Sequence, residues 1–420
     1  MLNWEDPIAA FHNKPAPQST EQAKPVQSIP SNSVVGERVE ANTATKETAA
    51  LKDNRLSAYA HSEAGSAANI AKNAAKEEEL AYQAASMEPV RAEDKRVITG
   101  KADVNQLAPF KYPWAWDYFL NANKNHWTPL DISMAQDVHD YNHKLTVEER
   151  HVYENVLAYL TTSDVLAMRN IGLAVMEKMR APELQIYQAR QVYEEALHTW
   201  TYQHCIESLG LNQSEIYNRY RVVPQINAKI RMANRRINSM LRPNIDLNNK
   251  DEQHNFVMGY LFFAGVFEGT WFYNGFTPIF ALQRRGLMKG TAEQLQYIMR
   301  DEVMHASFGI RVVNQIVKEE NLVLDPKAIR DMWDESEAVE HDYAKYILKD
   351  PILGYSAEEH IEQFRFIANR RARKLHLEEP FPGAENLLPW LDEQANMRKE
   401  KNFFETRVTE YQTGGALSWD

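Results

Sequence analysis

Two short phrases about a hundred residues apart carry the chemistry this sequence offers, Glu195-Ala196-Leu197-His198 and Glu302-Val303-Met304-His305. Residues three apart share one face of a helix, so each phrase aims a carboxylate and an imidazole at the same spot. Two further carboxylates stand in apolar surroundings, Asp164 in TTSDVLAMRN and Glu268 in LFFAGVFEGTWFYNGF. An unpaired charge in such surroundings is costly. Four carboxylates carry −4, which two divalent cations would balance. Oxygen-rich ligation with one imidazole per metal suits iron or manganese better than zinc or copper, and open coordination positions would admit O₂. The plain alternative is a core with ordinary histidines and ion pairs to Arg300 or Arg169. A third Glu-x-x-His, Glu148-Glu149-Arg150-His151, lies among charges at a helix start and reads as capping acids that complement the helix dipole.

These groups must be carried by long helices. Thr146 with Glu149 forms a capping box that opens a helix running through VYENVLAYLTTSDVLAMRNIGLAVMEKM and bearing Asp164. A second helix, from about 181 to 209, bears Glu195 and His198 and is stopped by Gly210. A connecting helical region, RVVPQINAKIRMANRRINSM, follows. A helix from about 252 to 282 bears Glu268 and is apolar nearly all round, so it is central and buried. Another, from about 291 to 317, bears Glu302 and His305, and two more, DPKAIRDMWDESEAVEHDYAKYIL and SAEEHIEQFRFIANRRARKL, close the bundle. Asp164 precedes Glu195 by 31 positions and Glu268 precedes Glu302 by 34, so each half pairs a carboxylate helix with a Glu-x-x-His helix after one antiparallel turn. No stretch alternates with period two. The expected fold is all-α, a ferritin-like bundle with extra helices whose core holds a dinuclear metal–carboxylate site.

Composition narrows the function. The 420 residues have a formal charge of −11, which argues against nucleic-acid and anionic-membrane partners. Cys205 is the single cysteine, so no intrachain disulfide forms. The start, MLNWEDPIAAFHNK, has no apolar stretch of signal-peptide type, and GYLFFAGVF is far short of the ~20 apolar residues of a membrane span. A cytoplasmic protein is expected. Residues 1–95 are rich in Ala, Ser, Glu, Lys and Pro and poor in large apolar groups, so they are expected to be disordered or weakly helical; a regulatory or docking arm is the functional alternative. Residues 96–385 form the expected helical domain, whose lead-in, DVNQLAPFKYPWAWDYFLNANKNHWTPLDISM, is expected to be irregular. Residues 386–420 read as a mobile tail with aromatic anchors.

Tyr202 follows His198 by one turn and lies on the ligand face. Phe272, Phe276 and Ile298 could wrap it in a dry pocket; the plain reading is a core tyrosine among packing residues. In this order and spacing, Asp164, Glu195-x-x-His198, Tyr202, Glu268 and Glu302-x-x-His305 resemble the class I ribonucleotide reductase small, radical-generating subunit, over about residue 97 to the C-terminus. The resemblance implies a metal pair, most simply di-iron, with di-manganese or mixed metals possible. Asp164, Glu195 and His198 would hold one ion and Glu268, Glu302 and His305 the other, with Glu carboxylates bridging. The pair would react with O₂ and oxidise Tyr202 to a stable radical. Some relatives carry Phe in place of that tyrosine and use a manganese–iron pair; this chain keeps Tyr.

The resemblance further implies that Trp127, Asp301 and the tail residue Tyr411, with Glu405 nearby, pass the radical to a separate large subunit. Trp127 could instead be packing and Asp301 an acid that orients a ligand. The C-terminal GGALSWD would dock on that large subunit, with Gly414 and Gly415 as a swivel and Leu417 and Trp419 as anchors. A homodimer is expected by the same resemblance. With one cysteine, this chain lacks the thiols for reduction at the sugar, so that step falls to the partner. The rivals are an oxidase or an iron store on the same scaffold, neither of which uses Trp127, Asp301 and Tyr411.

Overall fold

Thr146 begins the first site-bearing helix: its side chain accepts from the Glu149 backbone N–H while Glu149 reaches back to the Thr146 N–H. This capping box starts α3, Val147–Asn170. The computed structural model describes residues 89–391, apart from 102, 104, 105, 243 and 353. The expectations for residues 1–88 and for the tail, including Glu405, Tyr411, Gly414, Gly415, Leu417 and Trp419, concern residues outside that range. Before α3 lie α1, Pro113–Ala122, and α2, Ala135–His143; after it come α4, Pro182–Ser208, α5, Gln213–Val222, and α6, Pro224–Met240. Next are α7, Lys250–Leu261, α8, Tyr273–Arg284, α9, Lys289–Glu320, α10, Pro326–Ile347, and α11, Ala357–Lys374. Among the described residues there is no strand, only an isolated bridge between Ile352 and Tyr355.

Proline sets several starts. Pro113, Pro182, Pro224 and Pro326 each open a helix, where the missing N–H costs nothing and the fixed φ is already helical. This explains a departure in the lead-in: PWAWDYFLNA is not irregular but forms α1, launched by Pro113. The aromatic density of the stretch reflects burial, since Trp114 and Tyr118 face the core. The helix with Asp164 also ends sooner than its apolar pattern suggests. After Asn170 the chain widens into a π-helical turn, Ile171–Val175, and a 3₁₀ turn, Met176–Lys178.

Four helical stretches enclose the site. α3 packs on α4, α4 on α9, α9 on α8 and α8 back on α3. Between α7 and α8 the chain is π-helical over Phe262–Phe272, and that segment also packs against α9 and α11. The approach to α9 is close: a Cβ at Gly309 would lie 2.5 Å from the Ala264 Cβ. The 148–151 phrase serves the start of α3. Glu149 caps α3 and pairs with Arg285, and His151 Nε2 lies 3.1 Å from the Tyr346 carbonyl oxygen.

A second polar cluster, none of whose members is an expected ligand, is buried in the core. Lys229 of α6 pairs with Glu340 of α10, and both are fully buried. His360 Nε2 lies 2.7 Å from Glu340 Oε1, the Asn274 amide donates to the same oxygen at 2.8 Å, and Tyr355 Oη is 2.6 Å from His360 Nδ1. Burial pushes Glu340 up, but Lys229 and His360 outweigh it and bring the carboxyl down to about 2. Removing one member leaves the other charge unpaired, so Glu340→Ala should destabilise the fold by about 3–5 kcal/mol, read from the urea midpoint. Because the folded value lies below the ordinary 4.5, this stabilisation is complete above that pH and is lost as pH falls toward 2. Glu340→Gln should flatten that part of the acid-unfolding curve.

Candidate metal centre

Two overlapping sets of ligand atoms meet inside the four-helix ring. Asp164, Glu195, His198 and Glu302 each offer one atom, all within 4.8 Å of one another. Glu195, Glu268, Glu302 and His305 form the second set to the same limit. The structure therefore brings all six expected residues together, and Glu195 and Glu302, common to both sets, stand between the two positions. Each of the six is buried. His198 Nδ1 is 3.3 Å from Glu302 Oε1 and 3.6 Å from Glu195 Oε2. His305 Nδ1 is 3.1 Å from Glu195 Oε1, 3.4 Å from Glu268 Oε2 and 3.5 Å from Glu302 Oε2.

None of these inward atoms is satisfied. Both carboxylate oxygens of Asp164, Glu195, Glu268 and Glu302, and Nδ1 of both histidines, are buried without a hydrogen bond of proper geometry. Native cores leave few such groups. Arg300 lies over the Tyr297 ring and Arg169 is exposed, so the structure records neither in an ion pair with the cage. The electrostatics agree. Burial, then the charge of Glu195, pushes Asp164 and Glu268 well above the usual carboxylate range. Glu302 feels the same burial but is brought down to about 2 by His305 and His198. The donor set of hard oxygens with one imidazole at each position fits a pair of divalent cations.

The outer face of each imidazole explains its orientation. His198 Nε2 is 3.2 Å from Asp301 Oδ2, and His305 Nε2 is 2.8 Å from Glu194 Oε2. An ionised carboxylate only accepts, so each ring points its N–H outward and turns Nδ1 to the centre. The two arrangements mirror each other: Asp301 on α9 holds the histidine of α4, and Glu194 on α4 holds the histidine of α9. Glu194 was not among the expected site residues. The signal was present, since an acid immediately precedes each phrase, giving Glu194-Glu195-x-x-His198 and Asp301-Glu302-x-x-His305. Arg190 Nε in turn donates to Glu194 at 2.8 Å, and Asn125 donates to Asp301 at 2.6 Å.

Trp127 joins the same outer layer. Its Nε1 donates to Asp301 Oδ2 at 3.3 Å, and its ring stacks 6.5 Å from His198 and 5.4 Å from Tyr297. Tyr202 is fully buried on the ligand face of α4, its hydroxyl without a partner of proper geometry. Burial first, and then Asp164, holds its phenol well above the usual tyrosine value. Phe272, Phe276 and Ile298 are also fully buried, with the two phenylalanine rings stacked at 6.4 Å.

The π-helical segment alters the expected register around Glu268. Its i→i+5 bonding stacks residues five apart rather than four, so Tyr273 rather than Phe272 follows Glu268 along the face. Tyr273 is buried within the field of Glu302 and His305. Gly269 is required here: a Cβ would lie 2.6 Å from the Ala264 carbonyl oxygen and 3.2 Å from Arg371 Nε, which donates to the Gly269 carbonyl. No helix among the described residues is long and apolar enough to cross a membrane.

If the acid behind the histidine sets its orientation, Glu194→Ala should weaken metal binding by roughly 10- to 100-fold while the helical content is kept. Titration of metal-free protein with Mn(II) or Fe(II) measures this, and unchanged affinity would remove Glu194 from the site.

Comparison with known proteins follows the geometry. A family model described as "Ribonucleotide reductase, small chain" matches residues 104–387. A ribonucleoside-diphosphate reductase subunit beta from Chlamydia pneumoniae is 38% identical over 328 residues, covering 77% of this chain and 94% of that one. A ribonucleoside-diphosphate reductase small subunit from Dictyostelium discoideum is 28% identical over 344 residues, covering 81% and 94%. Among solved structures, a ribonucleotide reductase R2 subunit from Clostridium botulinum aligns with a TM-score of 0.65 at 22% identity, over 72% of this chain and 95% of that one. A dimanganese(II) NrdF from Streptococcus sanguinis aligns with a TM-score of 0.57 at 17% identity, over 70% and 100%. At these identities the two structures speak for the all-α fold.

Proposed function

The chain belongs to the ribonucleotide reductase small-chain family, and from that premise we propose that its buried cage holds a metal pair that oxidises Tyr202 to a stored radical. As such a subunit it works with a large subunit in the reduction of ribonucleotides to deoxyribonucleotides. The reading rests on the cage itself, four carboxylates and the Nδ1 atoms of two imidazoles turned inward without a hydrogen bond, each ring held from outside through its Nε2. Asp164 and His198 would hold one ion, Glu268 and His305 the other, with Glu195 and Glu302 between them. When bound, a pair of iron ions supplies the oxidising power by reacting with O₂. We take iron as the resident metal; manganese, which the Streptococcus sanguinis structure names, fits the same donors.

The chain's own residues do the rest. Asp301 and Glu194 hold the imidazoles in one tautomer, and the dry core keeps water from the phenol. Tyr202 sits beside Asp164, where an oxidised phenol can lose its proton to a carboxylate. Trp127, Asp301 and His198 make a continuous contact from the outer layer to the centre, which suits a path for the radical toward the large subunit. Tyr411 would carry it onward, and the C-terminal GGALSWD would dock on that subunit. The only thiol, Cys205, is buried, in keeping with sugar reduction on the partner. Exposed Val165 of α3 and Tyr193 and Trp200 of α4 lie on packed neighbouring helices and suit a homodimer contact. The cytoplasm is the setting in which this chemistry would run.

The test is electron paramagnetic resonance on metal-free protein reloaded with Fe(II) and exposed to air. A tyrosyl signal is expected in wild type and none in Tyr202→Phe, which should still take up metal. A signal that survives the substitution would place the radical elsewhere. Tyr411→Phe should keep the radical and lose turnover with the large subunit; an active variant would remove Tyr411 from the path.

A further inference from the structure

The oxidisable rings around the centre fall into two electrostatic classes. Trp127 has an acid at its ring N–H, the Oδ2 of Asp301. Tyr159 and Trp271 face a cation instead. The Lys229 ammonium lies 3.8 Å from the centre of the Tyr159 ring, 4.9 Å from that of Trp271 and 4.5 Å from that of Tyr343. Lys229 and all three rings are fully buried, so solvent does not screen the charge. Two of these rings stand near the ligands in sequence: Tyr159 is five residues before Asp164 on α3, and Trp271 is three after Glu268. Neither has a carboxylate to take its proton: Trp271 Nε1 is buried without an acceptor, and the neighbour of the Tyr159 hydroxyl is the neutral hydroxyl of Ser163.

We propose that Lys229 is an electrostatic guard that denies the oxidising equivalent to Tyr159 and Trp271 and so confines it to Tyr202 and Trp127. This rests on the radical reading above. The oxidant is the oxygen-activated metal pair. Taking one electron from Trp271 into the metals would leave an indole radical cation, which sheds its charge only by passing the Nε1 proton to an acceptor. With none present, the positive charge stays on the ring and faces the Lys229 ammonium, the reverse of the favourable cation–π contact of the reduced ring. Taking one electron from Tyr159 would likewise require its hydroxyl proton to leave, and that oxygen faces only the neutral hydroxyl of Ser163. Trp127 can pass its proton to Asp301, and Tyr202 lies beside Asp164. Glu340 fixes the guard by pairing with the ammonium; burial lowers the Lys229 value and Glu340 opposes that shift.

The test pairs two substitutions, Lys229→Met with Glu340→Gln, so that no buried charge is left unpaired. Metal-free wild type and variant are loaded with Fe(II), exposed to O₂, and read by electron paramagnetic resonance and by peptide mass spectrometry. Wild type should show the Tyr202 radical with unmodified Tyr159 and Trp271. In the variant the Tyr202 signal should fall by roughly a factor of ten, with oxygen added at Trp271 or Tyr159. Adding Trp271→Phe to the variant should restore part of the signal, which a merely structural role for Lys229 would not produce. A folded, metal-loaded variant with the wild-type radical yield and an unmodified Trp271 overturns the proposal. Wild type needs no variant for a second reading: over repeated cycles of Fe(II) and O₂, oxidation should appear at Trp127 before Trp271, and the opposite order overturns the guard. A wild type with no radical at Tyr202 overturns the radical reading itself and the guard with it, a result distinct from the others.

Discussion

Uncompensated negative charge in a dry core is the constraint on which the rest of this structure depends. Asp164, Glu195, Glu268 and Glu302 converge where no lysine or arginine among the described residues pairs with them, and carboxylates placed so closely cannot all ionise without a counter-charge. Protein groups alone would satisfy such a cluster with arginine or with hydroxyl and amide donors. Here the inward atoms are left bare, and the surrounding helices are shaped to keep them so. Bare donors at this density fit ions that arrive from outside the chain.

The outer layer gives the cage its geometry. Two acids, each one residue before a Glu-x-x-His, reach across to the histidine of the opposite helix and fix which nitrogen faces inward. That exchange couples α4 to α9 at both ends of the site and makes the ligand set nearly symmetrical. The asymmetry comes from what lies beyond. On one side Asp301 continues to Trp127, an anion beside an aromatic ring. Elsewhere in the core buried cations cover aromatic rings, Lys229 over Tyr159 and Trp271 and Arg371 over Tyr273.

Much of this was legible in the sequence, for physical reasons that can be named. Period and capping set the long helices, and the spacing of Asp164, Glu195, Glu268 and Glu302 put their carboxylates on facing positions. His151 lies in the charged helix start that Glu149 caps. Three features lay beyond that kind of reading. The π-helical register at Phe262–Phe272 depends on Gly269 and on Arg371 arriving from α11, a contact a hundred residues away that leaves no local mark. The helix launched by Pro113 was hidden by aromatic and proline content that resembles a loop. The part of Glu194 was visible only in the repeat of an acid before each phrase, because its partner, His305, is distant in sequence. The Lys229 cluster was likewise invisible, since a lysine in a basic amphipathic helix gives no sign that it turns inward.

We propose that the cage holds two ions that share Glu195 and Glu302. Crystals grown with Fe(II) or Mn(II) and measured at the metal's absorption edge test it most directly. The account predicts two anomalous peaks about 3.5–4 Å apart, one beside Asp164 and His198 and one beside Glu268 and His305, with the two shared glutamates between them. A single peak, or peaks outside this cage, would contradict it.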